Sequence, residues 1–197
     1  METVTSQSNR LNMLANDLKF LNAYEKGSIL YMRQVVDIQD DFILPIHQRE
    51  ELYHGKDLRV EIQISDGIII HAPRKEFTHV VIHLVDNAMK FAPPKSSILI
   101  DLAANGEGGC VLTVSDHGPG IPVEQREKVF DRYYQVRQED TADTKGLGLG
   151  LTVARPITRS LGGDVIILPD EHHCLVQMVL PPAPLDISYN SFVNIYY

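Results

Sequence analysis

The chain has only two cysteines, no excess of basic residues and no long apolar run, and each shortage closes off a class of protein. Cys110 and Cys174 lie far apart inside apolar runs. They are too few and too distant for a disulfide scaffold or a thiolate zinc site, and they read as small buried hydrophobes. Lys and Arg number 18 against 26 Asp and Glu, a net charge of −8. No nucleic-acid partner is expected, because binding to a phosphate backbone depends on Lys and Arg. The same shortage leaves no polybasic run for an anionic membrane surface. No stretch approaches the roughly 18 consecutive apolar residues of a membrane-spanning helix, so no span is expected. Residues 1–10 have no apolar centre and do not read as a signal peptide. There is no internal repeat and no low-complexity tract. What remains is ordinary globular composition, 44% hydrophobic and 22% charged over 197 residues. That is enough for one full domain with an appendage, expected in a reducing compartment, the cytoplasm.

Residues 10–26 read as a helix, with Leu11, Leu14, Ala15, Leu18 and Leu21 in one stripe and Gly27 as its stop. So narrow a stripe ahead of the main domain calls for a partner, on this chain or another. A weaker helical stretch covers about 35–53, with Val36, Phe42, Ile43 and Ile46 apolar, and Pro45 predicts a kink or break there. After His54-Gly55 the pattern becomes alternation: Leu58, Val60, Ile62 and Ile64 against Arg59, Glu61 and Gln63, a half-buried strand. Asp66-Gly67 signals a turn before a second short strand at 68–71. Pro73 opens a strong helix whose core face is Phe77, Val80, Val81, Leu84, Val85 and Ala88, ended by Pro93-Pro94. Strands at 97–103 and 110–115 follow. Next come a Gly/Pro-rich turn at 116–122, a short helix at 122–130 and an aperiodic polar loop at 131–146. A helix at 149–161 and strands at 164–168 and 173–180 complete the pattern. This order predicts an α+β fold: a two-layer sandwich with helices on one face of a mixed sheet, preceded by a helical segment. The expected divisions are a helical segment with linker at 1–54, a domain at 55–182 and a tail at 183–197.

Three segments hold residues that a packed core does not need. His79, His83, Asn87 and Lys90 share one face of the helix after Pro73. The plain reading is a solvated helix face. Asn87 stands out, since a short amide adds little to such a face but is a good oxygen ligand for Mg²⁺. The second segment is Asp116-His117-Gly118-Pro119-Gly120-Ile121. A carboxylate ends an apolar strand, and two glycines allow the backbone to approach a flat ligand closely. A tight strand-to-helix turn, with Asp116 accepting backbone bonds, explains the same residues. The third segment is Gly146-Leu147-Gly148-Leu149-Gly150-Leu151, which opens a helix and makes an anion cradle suited to phosphate. It is not a Walker loop, because no Gly-Lys-Ser/Thr follows and no strand precedes it.

In order and spacing these segments resemble the boxes of the GHKL (Bergerat) ATP-binding fold, and most closely the catalytic domain of sensor histidine kinases. Residues 84–91, Leu-Val-Asp-Asn-Ala-Met-Lys-Phe, resemble the N box, and Asp116-x-Gly118-x-Gly120-Ile121 the first glycine box. Phe130-Asp131-Arg132-Tyr133-Tyr134 resembles the F box, and residues 146–151 the second glycine box. The resemblance runs from about 57 to 182. Residues 10–27 are similar to the second helix of the histidine-kinase dimerisation hairpin. The resemblance implies ATP and Mg²⁺ as cofactors. Asn87 would hold the metal, and Asn87 and Lys90 would serve catalysis at the phosphates. Phe91 would pack near adenine and Asp116 would accept from the adenine amine. Gly118, Gly120 and Ile121 would pass close to the base. Gly146, Leu147, Gly148, Leu149 and Gly150 would serve the phosphates. Residues 131–146 would be a lid anchored by Phe130. The implied partners are a phosphoacceptor helix hairpin, a response regulator and a second copy of the chain through residues 10–26.

Some residues depart from the family pattern. His83 stands where relatives usually carry another Asn, and Leu147 replaces a frequent Thr or Ser. Gln135 occupies the place of an Arg that reaches the γ-phosphate in many relatives, with Arg132 or Arg137 as substitutes. The family's phosphoacceptor histidine is typically followed by an acidic residue, and none of the eight histidines here is. The expectation is therefore a protein-histidine kinase module whose acceptor lies elsewhere. Two alternatives stay open: a non-catalytic nucleotide-sensing module, and an anti-sigma-type protein-serine kinase of the same fold.

Overall fold

Alternation along three neighbouring strands builds the core. The computed structural model describes residues 4–26, 32–106, 108–136, 149–170 and 173–182. The expected stop at Gly27, the loop from 137 to 146, Leu147, Gly148 and the tail at 183–197 lie outside them. The chain runs through α1 (Val4–Glu25), β1 (Gln34–Val35), a wide π-helical segment (Ile38–Ile43), α2 (Leu44–Leu52) and β2 (Arg59–Ile64). Then follow β3 (His71–Ala72), α3 (Arg74–Phe91), β4 (Ser97–Ala104), β5 (Cys110–Asp116), α4 (Gly150–Ser160), β6 (Asp164–Leu168) and β7 (Cys174–Leu180).

The five-stranded sheet has the order β2-β4-β5-β7-β6, with β2 and β4 parallel and every other pair antiparallel. That is the mixed sheet the sequence predicts, and α3 lies in the crossover between its parallel strands. The register aligns the inward residues of three strands in rows. Ala104, Cys110 and Leu180 form one row; Leu102, Leu112 and Met178 the next; Ile100, Val114 and Val176 the third. All of these but Ala104 are buried. The fourth row is Ile98, Asp116 and Cys174, so the two-residue period that buries the β5 hydrophobes also buries one carboxylate. The two cysteines are buried as expected, and burial pushes both thiols up to about 12.

One layer of helices covers this face. α3 buries Phe77, Val80, Val81, Leu84, Val85, Ala88 and Met89, and α4 buries Leu151, Val153, Ala154 and Ile157. Each of these side chains larger than alanine contributes roughly 1.5–3 kcal/mol by leaving water. The other sheet face mixes polar and apolar residues, most of them half-buried, with Gln177 donating to Thr113 across the strands at 3.1 Å.

Three local expectations are corrected. The helix expected from 35 begins later, because Val35 pairs with His71 in a small β1–β3 ladder. Asp37 then caps the wide turn by accepting from the Asp40 amide at 2.9 Å, and Pro45 sits in the first turn of α2, where its missing N–H costs nothing. The strand expected at 68–71 is only His71–Ala72 and pairs with β1, not β2, as Ile70 bridges to Gly108. The helix expected at 122–130 is two short 3₁₀ turns, Val123–Gln125 and Lys128–Phe130. Of their residues only Val129 is buried while Val123 is exposed, which is too little apolar anchoring for an α-helix. Residues 34–52 pack onto α3: Phe42 and Ile46 join the core, and the Phe42 and Phe77 rings lie 6.4 Å apart.

Candidate functional site

Asp116 ends β5 facing inward and is 2% exposed. Its Oδ1 accepts the Gly118 amide at 2.6 Å. Burial pushes the carboxyl up to about 6, against the pull of that hydrogen bond and of His117, His173 and Lys56. Gly118 has no room for a side chain. A Cβ there would lie 2.5 Å from Asp116 Oδ1 and 3.1 Å from the Phe91 carbonyl oxygen. The first glycine box therefore presses directly on the C-terminus of α3. Gly120 takes φ +70°, a conformation that favours glycine, with open space where a Cβ would be. Ile121 is half-buried against the core.

The C-terminal turns of α3 carry the next group. Asn87 is half-buried and has no side-chain partner among the described residues. Lys90 Nζ lies 4.7 Å from the Phe91 ring centroid, and Phe91 is 37% exposed at the helix end. Lys56, which sequence reasoning missed, donates to the carbonyls of Met89 (3.1 Å), Lys90 (2.6 Å) and Ala92 (2.9 Å). It satisfies the last orphan acceptors of α3 and fixes where Lys90 and Phe91 emerge. No local pattern announces this, because the lysine lies over 30 residues upstream.

At the other end of the site, Leu149 is buried and Gly150 opens α4. A Cβ on Gly150 would come 3.5 Å from His83 Nδ1, so the described end of the second glycine box abuts α3 one turn before Asn87. Gly146, Leu147 and Gly148 lie outside the described residues. Phe130 sits farther along α4, half-buried under the Arg155 guanidinium at 4.1 Å. Arg155 also pairs with Glu127 (2.7 Å) and Asp164 (2.9 Å), while Thr152 Oγ1 donates to the Asp131 carbonyl at 3.0 Å. These contacts hold the start of the 131–146 segment to α4. The fold thus gathers Asn87, Lys90, Phe91, Asp116, Gly118 and Gly150 along one flank of α3.

The plain reading of His79 and His83 as a solvated face is corrected. His83 is 3% exposed, and both histidines lie beneath Asp17 of α1. Burial pushes the Asp17 carboxyl up, but hydrogen bonds from His79 and His83 outweigh it and hold it near 2. Burial pushes His83 below its ordinary range, toward the neutral ring. In α1 Leu21 is buried beside Asp17, whereas Leu18 is 47% exposed. The helix therefore meets this domain with one face and leaves part of the apolar stripe open.

Residues 72–184 match the family model described as histidine kinase-, DNA gyrase B-, and HSP90-like ATPase. The chain belongs to this ATPase family. This ATPase-family chain is 32% identical over 132 residues to the swarming motility regulation sensor protein RssA of Serratia marcescens, covering 67% of this chain and 28% of RssA. It is 28% identical over 162 residues to sensor histidine kinase WalK of Bacillus subtilis (strain 168), covering 81% of this chain and 26% of WalK. The chain thus spans under a third of the length of these curated relatives. The solved structure of the Acinetobacter baumannii histidine kinase AdeS has the same fold, with a TM-score of 0.72 at 20% identity, covering 90% of this chain and 81% of that one. No helix among the described residues is long and apolar enough to cross a membrane.

Proposed function

We propose that this chain binds adenine nucleotide with Mg²⁺ as the catalytic region of a cytoplasmic two-component sensor histidine kinase. The observation that supports it most is Asp116. A buried carboxylate is costly unless something recognises it. One of its oxygens is taken by the Gly118 amide, which leaves the other as an acceptor for the adenine amine. Phe91 offers a ring beside the base, and Gly118, Gly120 and Ile121 let the chain pass close to it. Leu149 and Gly150, with Gly146, Leu147 and Gly148, offer amides and a helix N-terminus to the phosphates. Phe130, held under Arg155, anchors the lid.

Asn87 suits the metal. Its amide oxygen is a hard donor without a side-chain partner among the described residues, and Mg²⁺ held by one protein oxygen keeps its other positions for water and phosphate. When bound, the ion neutralises phosphate charge in the transfer. Lys90 adds a point charge. In the transfer, the P–O bond to ADP breaks as a P–N bond forms to an acceptor imidazole held in line. The acceptor belongs to a helix hairpin that pairs with α1 through the face carrying Leu18, and a second copy of the chain meets the same face. A response regulator receives the phosphoryl group next.

Incubation with γ-labelled ATP tests this. The chain alone acquires no acid-labile, base-stable label, and a separately supplied cognate hairpin does. A hairpin that stays unlabelled while ATP binds favours the non-catalytic nucleotide-sensing reading.

A further inference from the structure

The contact between α1 and α3 has a geometry that two hydrogen bonds do not require. His79 and His83 are one turn apart on α3. Their Nε2 atoms lie 2.8 and 3.0 Å from the same oxygen, Asp17 Oδ1. The two nitrogens are 3.2 Å from each other. Three ligand atoms around a tetrahedral Zn²⁺, with bonds of about 2.0–2.2 Å, are spaced by roughly 3.3–3.6 Å. The observed triangle, with edges of 2.8, 3.0 and 3.2 Å, is a contracted version of that face, and an ion would spread the three atoms apart by a fraction of an ångström. Two imidazoles four residues apart on a helix, joined by one carboxylate, are also a ligand set that zinc-class ions take. This is the one such group of three metal-ligating side chains among the described residues.

The surroundings favour an ion over a bare hydrogen-bonded trio. Asp17 and His83 are almost fully buried, and the polar partners of the Asp17 carboxylate among the described residues are the two imidazoles. A divalent cation held by the same three atoms sets a full positive charge against the buried carboxylate. His79 stays one-fifth exposed and gives the ion a way in. The other ring nitrogen of His83 faces the first residue of α4.

We propose that Asp17, His79 and His83 form a site for a zinc-class divalent cation that clamps α1 onto α3. Water or a group from outside the domain supplies the fourth ligand. The site lies one helical turn from Asn87, so an ion there ties the position of α1 to the nucleotide end of α3. Cation binding does not depend on the kinase reading; only that consequence does.

The test is titration of the full chain with Co²⁺, whose d–d absorption is intense only in a tetrahedral field, followed by Zn²⁺ as competitor. One equivalent of Co²⁺ gives the band and one equivalent of Zn²⁺ removes it. Asp17→Asn and His79→Gln each weaken binding more than tenfold, while His173→Gln, in the exposed His173–Asp170 pair, leaves it unchanged. Should Asp17→Asn fail to fold, His79→Gln at the rim decides, because Zn²⁺ raises the melting temperature of the wild type and not of that variant. No tetrahedral band, a band that survives in His79→Gln, or one lost in His173→Gln overturns the proposal. ATP affinity, measured in Mg²⁺ with transition metals chelated, is a separate readout and stands or falls with the nucleotide reading alone.

Discussion

Asp116→Asn separates the two consequences of burying a carboxylate at the end of β5. Asp116 is 2% exposed, and burial moves its carboxyl from the ordinary 3.8 to about 6. That displacement corresponds to about 3 kcal/mol held against the folded state once the group is ionised. The sign follows from proton counting. Between pH 3.8 and about 6 the folded chain keeps a proton that the unfolded chain has released, so stability falls as pH rises through this window and levels off above it. Asn has no charge to bury. The variant therefore melts higher than wild type at pH 7, by a few degrees, since a buried amide keeps its own cost of about 1–3 kcal/mol. That advantage shrinks between pH 6 and pH 4. Binding moves the other way. The Asn oxygen still accepts from Gly118, but its second polar atom is now a donor facing the adenine amine. Roughly 1–3 kcal/mol of lost hydrogen bonding lowers ATP affinity about 5- to 150-fold. Calorimetric titration with Mg-ATP and melting curves at pH 4, 6 and 7 measure both. A variant that binds ATP as tightly as wild type shows that Asp116 does not hold the adenine amine, and one that melts lower than wild type at pH 7 shows that its buried charge does not burden the fold.

Three further outcomes are expected. Asn87→Ala weakens ATP binding far more in Mg²⁺ than in EDTA; equal losses by calorimetry assign Asn87 a structural role only. Lys56→Met strips three carbonyls at the end of α3 of a charged donor and lowers stability by about 2 kcal/mol in denaturant titration. Phe42→Ala empties a fully buried position against Phe77 and costs about 3–5 kcal/mol, provided that residues 34–52 fold as part of the domain; a loss under 1 kcal/mol shows that they do not.

What the sequence made legible was what short-range periodicity encodes. The stripe from Phe77 to Ala88 announced α3 and its buried face, and the alternation from Leu58 to Ile64 announced β2. The burial of Asp116 was legible in outline, since it continues the inward parity of Cys110, Leu112 and Val114. What escaped were contacts between residues distant in the chain. Nothing near Val35 shows that it will pair with His71, and nothing near Lys56 shows that it will cap a helix ending at Phe91. His79 and His83 looked like a solvated face because the carboxylate that covers them is over 60 residues away on α1. Asp17 lies three residues after Leu14 and four before Leu21, but a carboxylate does not count toward an apolar stripe, so the sequence reading centred the docking face on Leu18. In the folded chain Asp17 and Leu21 turn inward and Leu18 turns out.

The central claim is that a buried carboxylate at the end of β5 selects adenine. It is tested most directly by calorimetric titration of the wild-type chain with ATP and with GTP, both in Mg²⁺ at pH 7. ATP binds saturably and GTP at least tenfold more weakly, because guanine presents a carbonyl where adenine presents the amine that donates to Asp116. Equal affinity for the two nucleotides, or no binding of either, contradicts it.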